Sequence, residues 1–177
     1  MLTLTVQPKR LWDEKENRFR MSHEHPTTIS LEHSLISISK WESKWHKAFL
    51  TDRKKTPEEM FDYVKCMTIT KNVPEGVFYA LAEADYTAIS EYIENPMSAS
   101  NIHSGAVKSK KKSRDVMTSD LIYYYMVAGQ IDWQAQTWHL NRLLKLIEIY
   151  ALKQEESNRE SKKGRAKSPS VHKPHKH

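Results

Sequence analysis

The chain has very little cysteine and glycine. Cys66 is its only cysteine, so no disulfide can form within the chain, and nothing in its cysteine usage points to an oxidising compartment. Four glycines in 177 residues are too few to build a glycine-rich phosphate cradle. No apolar run approaches the roughly 20 residues of a membrane span, and residues 1–10 lack a signal-peptide core. These absences predict a protein of the reducing cytosol.

The net charge of +6 lies in one segment of the chain. Residues 157–177 hold seven basic groups and one acidic group, and the other 156 residues hold 21 of each sign. The body is therefore neutral, and the alkaline pI describes the tail. Beyond Glu155 almost every residue is polar, charged or proline, which predicts a disordered basic tail over 155–177.

The first 30 residues predict a small β element. Apolar residues alternate with threonine over Leu2–Val6, which is typical of a strand with one buried face. Leu11-Trp12 and Phe19 flank a charged turn, a pattern that favours a β-hairpin. A third strand is expected at 27–29, after a proline.

Residues 31–154 predict a helical domain of about five helices. Together with the N-terminal β element, this gives an expected fold class of α+β that is mainly α. The first helix carries apolar residues at steps of three and four, namely Leu31, Leu35, Ile38, Trp41, Trp45 and Phe49. Thr56-Pro57-Glu58-Glu59 has the cap, proline and carboxylates of a helix start. The helix that follows should bury Met60, Phe61, Val64 and Met67. Further helices are expected at 85–94, 118–128 and 134–154, with a helical turn at 77–81.

An exposed basic loop is expected at 97–116. It contains the cluster Lys108, Lys110, Lys111, Lys112 and Arg114. Such a cluster is typical of a phosphate-binding strip, of a nuclear-type address or of a solvated loop, and the sequence leaves these three open. Together with the tail, it makes nucleic acid a candidate partner.

Nothing in the sequence predicts catalysis, a metal or a cofactor. No local signature of an activated serine or cysteine occurs, and Cys66 lies on an apolar helix face, as expected of a small buried side chain. The histidine clusters, His23 with His25 and the three histidines of 172–177, lack the cysteine partners of a structural zinc site. We therefore expect a protein that is not an enzyme.

The aromatic residues on helices are the candidate protein-binding groups. Tyr123, Tyr124 and Tyr125, with Trp133 and Trp138 nearby, are also a candidate base-stacking platform, but consecutive residues of a helix point in three directions, which favours packing. Two should complete the core and one should be available to a partner. The predicted protein-binding residues are Trp41, Trp45, Phe49, Tyr124, Trp138 and Leu143.

Three stretches of the helical region resemble the tail assembly chaperones of tailed bacteriophages. They are LEHSL at 31–35 with SKWESKW at 39–45, KTPEE at 55–59, and TSDLIYYY at 118–125 with WHLNRLL at 138–144. The resemblance covers about residues 31–152 and includes no catalytic signature. It implies a helical factor of the bacterial host cytoplasm that keeps the tape-measure protein soluble and helps tail-tube subunits polymerise around it.

Two other functions remain open. The chain could be a nucleic-acid-associated protein that uses the basic loop and tail, or a minor virion protein of the neck or tail completion type. The basic loop and tail are not features of the family pattern. Self-association also stays open.

Overall fold

The computed structural model describes residues 1–100 and 116–166. Within them, six α-helices and two pairs of antiparallel strands confirm the predicted α+β class. The strands are β1 (Leu2–Val6), β2 (Arg10–Asp13), β3 (Arg18–Met21) and β4 (Thr27–Leu31). The helices are α1 (Leu35–Trp45), α2 (Pro57–Met67), α3 (Glu75–Tyr79), α4 (Glu83–Glu94), α5 (Ser119–Ala128) and α6 (Leu140–Ala166), with a short 3₁₀ helix at Trp133–Thr137.

The four strands form two separate antiparallel pairs, which we together call the ribbon. β1 pairs with β4 in the register Leu2↔Leu31, and β2 pairs with β3 in the register Arg10↔Met21. Three residues join β1 to β2 and five join β3 to β4, and the Ser22 N–H donates to the Lys9 carbonyl oxygen over 2.8 Å between the two pairs. The buried His23 lies in the longer connection, with Nε2 3.2 Å from the Val6 carbonyl oxygen and Nδ1 2.8 Å from Ser22 Oγ. The predicted hairpin and third strand are both present.

The helix starts follow the sequence closely. Thr56 caps α2, and its Oγ1 accepts from the Glu59 N–H while the Glu59 carboxylate accepts from the Thr56 N–H, with Pro57 at the first position. Ser34 and Ser37 make the equivalent capping box at the start of α1. The α2 start predicted from Thr56 is therefore confirmed.

The core lies between α1 and α2 and extends to the ribbon, α5 and the first turn of α6. Its fully buried residues include Ile38, Trp41, Tyr63, Ile122 and Leu143. The Trp41 Nε1–H donates to the Glu59 carbonyl oxygen over 2.8 Å, which ties the first two helices together. On α2 the buried residues are Glu59, Tyr63, Val64 and Met67, which confirms the predicted burial of Val64 and Met67. Met60 and Phe61, expected on the same face, are only partly buried, because Glu59 and Tyr63 take the inward positions instead.

Several helix boundaries differ from the predictions. The first helix, whose apolar period was expected to run from Leu31 to Phe49, spans only Leu35–Trp45, because Leu31 ends β4 and Ser34 caps the helix. The helix expected at 134–154 begins at Leu140, because 133–137 forms the 3₁₀ helix. It runs through Ala166, so residues 155–166 of the predicted disordered tail are helical. Pairs spaced at helical intervals, Lys153 with Glu156 and Glu155 with Arg159, favour continuation, because a helix that is already nucleated gains one hydrogen bond for each added residue. Residues 167–177 lie outside the described residues.

Candidate protein-interaction surface

An open groove of about 610 Å³ lies where the end of α1 meets α2, α3 and α4. We call it the aromatic groove, because Trp45, Phe61, Tyr79 and Tyr86 form most of its lining. Lys44, Pro57, Glu58 and Asp62 complete it. Four helices thus each contribute a ring to one concave surface.

Trp45 is held in place at one wall of the aromatic groove. Its ring stacks on the buried Trp41, with ring centroids 6.1 Å apart, and its Nε1–H donates to Asp62 Oδ2 over 3.1 Å. Lys44 forms an ion pair with the same carboxylate. The indole is therefore fixed by packing and hydrogen bonding, and its ordering costs little further entropy when a ligand binds.

Phe61 and Tyr79 form the floor on the other side. Their ring centroids lie 5.0 Å apart, and the Lys65 ammonium lies 4.6 Å from the centroid of Phe61. Lys65 also pairs with Glu75 over 2.7 Å, and this hydrogen bond lowers the pKa of the Glu75 carboxyl. Tyr79 remains 55% exposed although it packs against Phe61. A large aromatic side chain is thus presented to solvent on a supported helix.

A second concavity of about 850 Å³ opens on the other side of Tyr79, between α3 and the hairpin β2–β3. We call it the hairpin cleft. Its apolar residues are Leu11, Trp12, Met21 and Tyr79, and its charged residues include Asp13, Arg20 and Glu75. Because Tyr79 lines both concavities, the aromatic groove and the hairpin cleft form one continuous surface.

The hairpin itself exposes aromatic rings. Trp12 and Phe19 pack edge to face with centroids 5.0 Å apart, yet they are 51% and 58% exposed. Met21 is also exposed. Contiguous apolar surface of this kind marks contact sites for proteins, where tryptophan and tyrosine contribute most of the binding energy.

The charged residues around the aromatic groove are few and mixed in sign. Lys44 and Asp62 neutralise each other, whereas Glu58 forms no ion pair within 1–100 and 116–166. The groove therefore combines ring surfaces with one free carboxylate at its wall. This arrangement suits an apolar segment that carries a lysine or arginine nearby.

Of the predicted protein-binding residues, only Trp45 lines the aromatic groove. Trp41, Phe49 and Leu143 are buried in the core, so the prediction that they contact a partner is wrong. Tyr124 is 63% exposed on α5 and lines neither concavity. Trp138 is 36% exposed and lies under the Arg142 guanidinium at 4.8 Å. The structure thus does not bring the six residues together.

The predicted nucleic-acid-binding residues lie outside the described part of the chain. They are Lys108, Lys110, Lys111, Lys112 and Arg114.

The most perturbed titratable groups are structural. His33 and Tyr63 are buried, with Nδ1 and Oη 2.5 Å apart, and His139 packs on His33 with centroids separated by 5.1 Å. Burial, aided by His139 and Lys55, lowers the pKa of His33 to about 3, and burial raises the pKa of Tyr63. Burial likewise raises the pKa of the half-buried Cys66 thiol, which keeps it protonated and weakly nucleophilic.

Neither a metal centre nor a membrane-spanning helix occurs in the part of the chain that the structure describes. No group of three histidine, cysteine, aspartate or glutamate residues there has metal-binding geometry. The helices over 1–100 and 116–166 are each too short or too polar to cross a bilayer.

The sequence does not predict most of this surface. It identifies Trp12 and Phe19 only as hairpin anchors, predicts Phe61 in the core, and gives no signal for Tyr79 or Tyr86. One signal for an exposed surface is present in the sequence: Trp12 and Phe19 lie on a short hairpin, and no amphipathic helix next to it in the sequence could cover both rings. Comparison with protein-family models, with curated proteins and with solved structures found no match.

Proposed function

We propose that the chain is a non-catalytic protein-binding factor whose partner contacts the aromatic groove and the hairpin cleft. The observation that carries the proposal is the continuous surface formed by Trp45, Phe61, Tyr79 and Trp12 on two concavities that share Tyr79. Its rings are held by packing before any partner binds. A preformed apolar groove is a common receptor for an amphipathic helix.

The finer form of the proposal is a tail assembly chaperone of a tailed phage, acting in the host cytoplasm. Its support is the resemblance of residues 31–152 and the fit between this surface and an amphipathic client. The clients would be the tape-measure and tail-tube proteins. A tape-measure protein is rich in long amphipathic helices, and covering their apolar faces would keep it soluble until the tube forms around it.

A co-expression experiment tests this function. The tape-measure protein encoded near this chain is produced in bacteria with the wild-type chain, and its soluble fraction and its capture on the tagged chain are measured. Tyr79→Ser should lose capture, because Tyr79 lies at the centre of the surface. Tyr124→Ser is the matched control, since it removes an equally exposed tyrosine outside both concavities.

Both variants should keep the thermal midpoint of the wild type, because both side chains are mainly exposed. Equal capture by Tyr79→Ser and wild type would refute the proposed surface. Failure of the wild-type chain to capture the tape-measure protein would refute the chaperone function. Retention of the chain in purified virions would instead favour the neck or tail completion alternative.

A further inference from the structure

Within the described residues, no other segment is hydrogen-bonded to the outer edge of β1. On the other side of the sheet, β4 is covered: the Ile69 N–H donates to the Ser30 carbonyl oxygen over 2.9 Å, and the Ser30 N–H donates to Thr70 Oγ1 over 2.8 Å. Both backbone groups of Ser30 therefore point away from β1. In an antiparallel pair, this places Ser30 and its partner Thr3 at a position without ladder hydrogen bonds.

Thr3 consequently directs its own N–H and C=O away from β4, and by alternation so does Thr5. The narrow spacing of the Thr5 and Thr28 side chains, whose Oγ1 atoms are 3.1 Å apart, agrees with this assignment. Within residues 1–100 and 116–166, no hydrogen bond reaches the backbone groups of Thr3 or Thr5. Four backbone donors and acceptors thus face outward along one strand edge.

This edge lacks the features that normally prevent pairing with another strand. β1 contains no charged residue, no proline and no bulge. Its inward-facing Leu2 and Leu4 are only half-buried, although they pack against the core, whereas Val6 is fully buried. Part of the apolar surface of Leu2 and Leu4 therefore remains exposed at the edge of the sheet, and a further strand beside β1 would cover it.

We propose that β1 pairs with β1 of a second copy of this chain, antiparallel about a twofold axis at Leu4. Thr3 then lies opposite Thr5 of the second copy, and each of these two pairs exchanges two backbone hydrogen bonds. The result is a continuous four-stranded sheet in the order β4-β1-β1-β4. Such an isologous contact closes on itself and forms a dimer rather than a fibre.

The sequence of β1 is complementary to itself in this register. Leu4 faces Leu4, Leu2 faces Val6, and threonine faces threonine on the exposed side, where such pairs are favourable. All five residues of the strand are used. Because the strand is neutral, the two copies do not repel each other. A client strand would satisfy the same backbone groups, but nothing in β1 selects a particular client sequence, whereas its own sequence matches at each position.

A charge-pair experiment tests the register. The molecular mass of the full chain is followed over a concentration series by sedimentation. Wild type should show a concentration-dependent dimer. The double variant Thr3→Lys with Thr5→Lys places like charges opposite each other twice, and its dimer dissociation constant should rise about tenfold or more. The matched variant Thr3→Lys with Thr5→Glu places opposite charges together and should remain as dimeric as wild type.

Both threonine side chains are exposed, so neither double variant should change the thermal midpoint of the monomer. Thr3→Pro provides a second route, since it removes an outward N–H that β4 does not use. It should also give a monomer. The proposal is overturned if wild type stays monomeric at every accessible concentration. This also holds if β1 pairs with a strand of a client protein but not with a second copy of the chain. It is equally overturned if the two double variants dimerise alike.

Discussion

Gly76 lies directly against the carbonyl group of Ser22. A Cβ at Gly76 would lie 1.7 Å from the Ser22 carbonyl oxygen, well inside any contact that two such atoms tolerate. Ser22 lies just after β3 and Gly76 is in the first turn of α3, so this contact joins the base of the hairpin to the helical body. It sets the position of one wall of the hairpin cleft relative to Tyr79.

Gly76→Ala should therefore displace the hairpin and destabilise the protein by roughly 1–3 kcal/mol, as overpacking does. Urea unfolding measures the loss, and hydrogen exchange of the 10–21 amides should increase. Gly129→Ala is the control, because the Cβ there would lie 3.0 Å from the Tyr125 carbonyl oxygen and needs only a small adjustment. A loss at Gly129 equal to or larger than that at Gly76 would contradict the assignment.

The two adjacent tryptophans of α1 should behave differently. Trp41→Ala removes a fully buried ring and should cost about 3–5 kcal/mol in the free energy of unfolding. Trp45→Ala removes a half-buried ring that lines the aromatic groove, so it should cost less and weaken client capture more. The unfolding midpoint and the captured fraction are measured for both. The distinction fails if Trp45→Ala captures client like wild type.

Glu59 should make stability depend on pH in the acid range. Its solvent-inaccessible carboxylate accepts from Arg53 at 2.7 Å, Lys47 at 2.9 Å and the Thr56 N–H at 2.8 Å, and these hydrogen bonds lower its pKa from 4.5 to about 2. The unfolded chain therefore binds a proton before the folded chain does. The resulting stability is complete above pH 4.5 and is lost as the pH falls from 4.5 towards 2.

Glu59→Gln should flatten this part of the profile while lowering stability at neutral pH. The free energy of unfolding, measured in urea at a series of pH values, gives both quantities. Identical slopes for wild type and Glu59→Gln below pH 4.5 would show that another group is responsible.

His33 should make the stability of the protein depend on pH in a higher range than Glu59 does. Its folded pKa of about 3 lies below the ordinary value of 6.5, so between these limits the unfolded chain carries the extra proton. Stability contributed by neutral His33 is thus complete above pH 6.5 and is lost as the pH falls towards 3. The slope can reach about 1.4 kcal/mol for each pH unit.

The comparison of wild type with His33→Gln isolates this contribution, because all other histidines are common to both proteins. Between pH 6.5 and 4.5, above the range of Glu59, the variant should lose less stability than wild type. A parallel decline in the two proteins would place the effect elsewhere.

Local chemistry made much of the fold predictable. The alternation in β1, the charged turn between Trp12 and Phe19, and the cap at Thr56 each depend on neighbouring residues, and each appears as expected. Helix ends were harder. The extension of α6 beyond Gln154 depends on ion pairs at the helix surface. The apolar pattern of the sequence predicts only the buried part of a helix, so it does not predict this extension.

The candidate site was largely hidden in the sequence. Its rings come from the hairpin, α1, α2, α3 and α4, and an apolar period does not tell a residue that packs inward from one at the edge of a groove. Trp41 and Trp45 illustrate this, since they lie four positions apart on the same helix face. Trp41 is fully buried against α2, whereas Trp45 lines the aromatic groove.

Local sequence features predicted the α+β class, the hairpin, the capped start of α2 and a body without net charge, because propensity, capping and charge act over a few residues. The three-dimensional packing sets which aromatic rings reach solvent, that Tyr79 lines two concavities and that, within the described residues, the outer edge of β1 makes no hydrogen bonds. These features depend on contacts between segments that are distant in the sequence, such as Ser22 with Gly76 and residues 67–70 with β4. A local sequence pattern does not predict such contacts.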